Sequence, residues 1–195
     1  MHSTNSALTS TLSRTADHSP ATLSRVLDLL EGEGLVERTD RGGVADVDWA
    51  GTIRRWVQDY DVLKFNSSVG YLQPRGLNDL TARLRDGSAI YALTGSVAAN
   101  LLAPFAPARL AMLYVDNARD SVDALDLRET ESGANVMLLQ PFDDVVSART
   151  IERDGLMLVN PSQLAADLLT SPGGGPAEGE ELLDWMKDNL DDWRR

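Results

Sequence analysis

The sequence contains no cysteine. Disulfide frameworks and thiolate metal sites are therefore excluded. No apolar run is long enough to span a bilayer. The opening residues, MHSTNSALTSTLSRTAD, lack the apolar core of a signal peptide. These absences point to a cytoplasmic protein with no membrane partner. Positive charge is scarce: 18 Lys and Arg face 30 Asp and Glu, a formal net charge of −12. That balance argues against a general polyanion binder and leaves room only for a local basic face. Histidine is nearly absent too. His18 falls at a turn position and reads as a packed turn residue, so no metal ligand is assigned. What is present, 43% hydrophobic and 25% charged residues in 195, suits one globular domain or two small ones with a real core.

The most regular stretch is LSRTADHSPATLSRVLDLLEGEGLVERTDRGGVADVD. Leu12 and Ala16 sit four apart, as on one face of a short helix. Ser19 is a good N-cap, and Pro20 follows at the first helical position, where its missing N–H is harmless. Leu23, Val26, Leu27 and Leu30 then mark an inward face, and Gly32 and Gly34 end the helix. LVERT and VADVD alternate apolar and polar residues around a DRGG turn, which predicts a hairpin. Helix, tight turn, helix and hairpin make a winged helix-turn-helix.

The outward face of the second helix carries Ala21, Thr22, Ser24, Arg25 and Asp28. Short hydroxyls and one arginine suit a major groove, with double-stranded DNA as the partner. Arg14 would reach phosphate from the preceding helix, and Arg38 and Arg41 from the wing. DNA contact is assigned to Arg14, Ser19, Thr22, Ser24, Arg25, Arg38 and Arg41. A plain helical hairpin with solvated arginines is the alternative. Residues 1–48 hold four arginines against eight acids, a net charge of −4, so affinity would rest on arrangement. A winged helix also has a further helix ahead of the helix-turn-helix, for which few residues remain here; either that helix is missing, or the start lies downstream of the true one.

In WAGTIRRWVQDYDVLKFN, Ile53, Trp56, Val57 and Tyr60 recur at helical spacing. We expect one linking helix over 49–64, with Arg54 and Arg55 off its stripe. Residues 65–195 alternate helical and strand patterns, an α/β (α+β) domain. RGLNDLTARLRDGS predicts a helix burying Leu77, Leu80 and Leu84; ANVMLLQP and GLMLVN predict strands. Pro161 starts a helix carrying Leu164, Ala165, Leu168 and Leu169. SPGGGP breaks the chain, and a last helix turns Leu182, Leu183, Met186 and Leu190 inward before Trp193. With no lysine after it, GGG is a loop and not a phosphate cradle.

YALTGSVAANLLAPFAPARLAMLYVDN raises a catalytic question. A strand, a Gly95-Ser96 turn opening a helix, and a second strand ending in Asp116 form the entry of a nucleotidyltransferase site. That chemistry holds divalent metals on two acids one residue apart on a strand face. The matching triplet here is Tyr114-Val115-Asp116, with one acid. Asp143 or Asp144 would have to supply another. The frame is therefore read as degenerate: no catalytic residue, no metal and no cofactor, with Gly95, Ser96 and Asp116 as a vestigial nucleotide site. The amides of the Gly95-Ser96 turn still suit an anion.

The ordered set SPATLSRVLDLLEGEGLVER, IRRWVQDY, YALTGSVAANLLAPFAPARLAMLYVDN, GANVMLLQPFDDVV and SQLAADLLTSPGGGPAEGEELLDWM resembles actinobacterial regulators of the AbiEi type. These are antitoxins of type IV toxin–antitoxin systems linked to abortive infection. The resemblance covers nearly the whole chain. It implies an N-terminal winged helix that binds promoter repeats and represses its own operon. It also implies a C-terminal nucleotidyltransferase-like domain needed for antitoxicity without catalysis. The toxin partner would be functional, without a stable complex. The chain departs in its short N-terminus and in GGG, where relatives often carry Gly-Arg-Gly. Three expectations stand: an autorepressing DNA-binding antitoxin, acting as a homodimer on paired half-sites; a protein-interaction module using the acidic segment 176–195; and a nucleotidyltransferase on Asp116 with Asp143 or Asp144.

Overall fold

A computed structural model describes residues 20–40, 43–87 and 90–194. The class is mixed α/β, and the chain divides into two compact units, Met1–Trp56 and Val57–Arg195. No described helix is long and apolar enough to cross a membrane. Leu12, Arg14, Ala16, His18, Ser19 and Arg41 lie outside the described residues.

In the first unit, helix α1 spans Pro20–Gly32. Strands β1 (Val36–Arg38) and β2 (Val44–Val47) pair antiparallel, and helix α2 spans Trp49–Trp56. The chain leaves α1 through Gly34, whose φ of 71° suits a residue without Cβ. Leu35 N donates to Leu30 O at 2.8 Å and Gly34 N to Glu31 O at 3.0 Å. Those two bonds satisfy helix-end carbonyls and turn the chain into β1. Thr39 closes the other end of the hairpin: its N donates to Gly43 O at 2.7 Å, and its Oγ1 accepts from Gly43 N at 3.1 Å. Asp48 Oδ1 accepts from Gly51 N at 2.8 Å, a local bond that starts α2. Val36, Ala50 and Ile53 are buried. Leu23, Leu27 and Leu30 are half-buried, whereas Val26, expected inward, is 46% exposed. At 3.6 residues per turn Val26 lies to the side of the arc centred on the three leucines.

The expected single helix over 49–64 is two helices. The first ends at Trp56, and a second, α3, runs over Val62–Phe65. Asp61 is the reason: its side chain accepts from Leu63 N and Lys64 N and so nucleates a new N-terminus. Ile53 falls in the first unit and Tyr60 in the second.

Among the described residues the second unit holds seven strands: β3 (Ser67–Leu72), β4 (Tyr91–Thr94), β5 (Ala111–Val115), β6 (Arg128–Glu129), β7 (Val136–Gln140), β8 (Ile151–Arg153) and β9 (Leu156–Leu158). Their order is β6-β3-β7-β5-β4-β9-β8. Two neighbouring pairs are parallel, β5 with β7 and β4 with β9, but β4 and β5 run antiparallel. The two parallel pairs therefore point in opposite directions. All five residues of β5 are buried, as a central strand covered on both faces requires.

Besides α3, the described residues of this unit form six more α-helices: α4 (Leu77–Asp86), α5 (Gly95–Ala99), α6 (Ala118–Ala124), α7 (Pro161–Thr170), α8 (Gly175–Asp188) and α9 (Leu190–Trp193). Leu80 and Leu84 of α4 are buried, as are Leu182, Leu183 and Met186 of α8. Leu190, expected on the same inward face, is exposed, because α8 stops at Asn189 and the helical phase is lost. Trp193 then folds back, and its Nε1 donates to Met186 O at 2.8 Å.

Candidate functional site

On α1, Ala21, Thr22, Ser24 and Arg25 are all exposed, so short hydroxyls and a guanidinium occupy one stretch of helix surface. Arg38 is placed differently from the expected phosphate contact. Its Nη2 donates to Asp28 Oδ1 at 2.6 Å. Its Nε lies 3.3 Å from Glu31 Oε2, within ion-pair reach but out of hydrogen-bond alignment. Only 19% of the side chain is exposed. The pairing follows from the chain reversal at Gly34, which brings β1 back beside the acids of α1. Arg55 is likewise paired, with Nε 2.9 Å from Glu33 Oε1.

The second unit separates the residues read as a vestigial nucleotide site. In the antiparallel pair, Thr94 lies opposite Met112 and Tyr91 opposite Val115. Gly95 and Ser96 follow Thr94, whereas Asp116 follows Val115. They stand at opposite ends of the strand pair, and no single ligand group meets all three. The succession strand, Gly95-Ser96 turn, helix, strand was legible, but the direction of pairing was not. Asp116 shares its sheet end with Pro141, since β5 and β7 are parallel. Asp143 is near that end, but its side chain accepts from Val145 N and caps the 3-10 turn Asp144–Ser147. Among the described residues no cluster of three His, Asp or Glu has the placement to hold a metal.

Each end carries a cavity. One, of about 270 Å³, is lined by Tyr91, Tyr114, Asp116, Pro141, Ser147 and Thr150 among others. The other, of about 240 Å³, includes Gly95, Ser96, Arg109, Met112, Leu168 and Glu178. Gly95 has a φ of 66°, and a Cβ there would stand 3.0 Å from Met112 Sδ. Glycine is thus required where β4 passes into α5.

Between the two ends lies a polar hub absent from the sequence expectations. Asp167 of α7 is fully buried. Its Oδ2 accepts from Thr94 Oγ1 at 2.6 Å, and its Oδ1 from Tyr60 OH at 2.7 Å and Gln163 Nε2 at 2.8 Å. Tyr114 OH donates at 3.1 Å to Oδ2. Asn66 Nδ2 reaches Tyr60 OH at 3.3 Å. Burial pushes the Asp167 carboxyl up to about 6, against the lowering effect of these hydrogen bonds. Burial first, and then the Asp167 charge, raises both tyrosine hydroxyls well above their ordinary range. The buried hub ties together β4, β5, α7 and the 60–66 segment. Tyr114, read from sequence against the first acid of a nucleotidyltransferase triplet, is one of its donors. A signal existed in the sequence: Asp167 falls three residues after Leu164, on the apolar face of SQLAADLLT.

Compared with protein-family models, curated proteins and solved structures, the chain matches none.

Proposed function

We propose that the chain is a DNA-binding transcription regulator whose first unit acts as a winged helix-turn-helix. One observation carries the proposal: α1 exposes Ala21, Thr22, Ser24 and Arg25 immediately ahead of a two-stranded hairpin. Arg25 would pair with a base edge and Thr22 and Ser24 would assist. The internal pairing of Arg38 with Asp28 and Glu31 adds support, because it masks two acids that would repel phosphate. With the resemblance in sequence, the regulator is the autorepressing antitoxin of a type IV toxin–antitoxin pair, acting in the cytoplasm as a homodimer on promoter repeats. The second unit then serves antitoxicity without catalysis. Support for a nucleotidyltransferase-like frame there is confined to the order β4, Gly95-Ser96, α5, β5.

The test is a titration of labelled DNA from upstream of the chain's own gene, at two salt concentrations, against unrelated DNA. Specific retardation that weakens with salt is expected. Arg25→Ala should weaken it by about 1–3 kcal/mol and relax base preference. Unchanged affinity and preference would remove Arg25 from the interface.

A second reading, a protein-interaction module, is favoured by the exposure of Val26 (46%) and Leu29 (53%) on the same helix. Absence of any sequence-specific retardation in that titration would leave it standing in place of the first.

A further inference from the structure

The cavity beside Gly95 has a wall that DNA binding leaves unused. Glu178, in the first turn of α8, lines it and is only 8% exposed. Its Oε2 is buried with no hydrogen-bond partner among the described residues. The contrast with Asp167, which receives four side-chain donors, is sharp. A buried acceptor left without a donor is costly. The positive end of α8 eases the charge but supplies no hydrogen to this oxygen.

The position of Glu178 is built into the packing. A Cβ on Gly175 would come within 2.6 Å of Ser171 Cβ and 2.8 Å of Leu168 O, so only glycine lets α8 approach α7 this closely. A Cβ on Gly174 would lie 3.7 Å from Glu178 Oε1, so the carboxyl lies alongside that loop. Leu168 and Met112 supply apolar wall, and Arg109, which is exposed, supplies a cation at the rim. The cavity, of about 240 Å³, thus joins an unpaired acid, an apolar surface and a guanidinium.

We propose that this cavity binds a small zwitterion of the amino-acid class. The ammonium donates to Glu178, the aliphatic body lies against Leu168 and Met112, and the carboxylate turns to Arg109. Such a ligand meets the unpaired acceptor while avoiding the repulsion that Arg109 imposes on a simple cation. The site does not depend on DNA recognition, and binding is measured without DNA.

The experiment is a thermal-unfolding and calorimetric titration of the full chain with four probes. These are L-leucine, 6-aminohexanoate, n-butylammonium and tetramethylammonium, which has no N–H. The two zwitterions differ in the spacing of their charges and report the distance between the groups that hold them. At least one should raise the melting temperature in a saturable way at millimolar concentration. Tetramethylammonium should not. Glu178→Gln should reduce affinity at least tenfold. Arg109→Ala changes an exposed side chain and so keeps the test readable where the buried variant folds poorly. It should weaken the zwitterion and bring its affinity to that of n-butylammonium. No saturable effect from any probe, or one that survives Glu178→Gln, or equal response to tetramethylammonium, overturns the proposal; a trapped water then satisfies Glu178.

Discussion

An arginine on a hairpin beside a helix has two uses, a ligand phosphate or a neighbouring acid. Arg38 takes the acid, at 2.6 Å from Asp28. Because Asp28 is 61% exposed, the pair is screened by solvent and contributes only about 0–1 kcal/mol to stability. Its larger effect is on the field over α1. Arg38→Ala should weaken operator binding even without a phosphate contact, because Asp28 and Glu31 become unmasked. Adding Asp28→Asn and Glu31→Gln should restore most of the loss, read by the same DNA titration. A triple variant as weak as Arg38→Ala would instead place Arg38 on phosphate directly. Arg25, three residues before Asp28 on the same outward face, was legible as an exposed residue because helical spacing alone decides which way it points. The partner of Arg38 was not legible, because ten residues and a chain reversal separate it from Asp28.

Among elements, the glycines show how the same substitution acts with opposite sign. Gly175→Ala drives a Cβ toward Leu168 O, a backbone atom that cannot step aside. We expect a loss of about 1–3 kcal/mol despite the better helix propensity of alanine. Gly32→Ala meets nothing within 4 Å, and Gly32 is not among the glycines with positive φ. It should be neutral or stabilise by up to about 1 kcal/mol. Denaturant midpoints of the two variants check both signs; equal effects would mean that the α7–α8 contact is looser than drawn. The pattern in the sequence identified both helices of that pair, since Leu164, Leu168, Leu182, Leu183 and Met186 recur at helical spacing and are all buried. It missed β3, whose Ser67, Ser68 and Val69 are exposed and whose alternation is correspondingly faint.

At the scale of the molecule, Asp167 couples stability of the second unit to pH. Its carboxyl is pushed up to about 6 from an ordinary 3.8. The fold therefore favours the protonated form. That contribution is complete below the unfolded value and is lost as pH rises through the folded one. Relative to Asp167→Asn, the native chain should lose roughly 2 kcal/mol between pH 4.5 and pH 7. Denaturation of both chains at the two pH values reads this, and a difference that does not change with pH would show that Asp167 does not titrate in that window. By itself the sequence determined the class, most helices, the central strands and the exposed face of α1. Each of these follows from spacing, caps and composition within a dozen residues. Only the tertiary structure decided that β4 and β5 run antiparallel, which parts Gly95 from Asp116. It alone decided that Tyr60, Thr94, Tyr114 and Gln163 converge on Asp167, and that Glu178 faces a cavity. Strand direction and buried partners are set by contacts between residues tens of positions apart, and no local pattern encodes them.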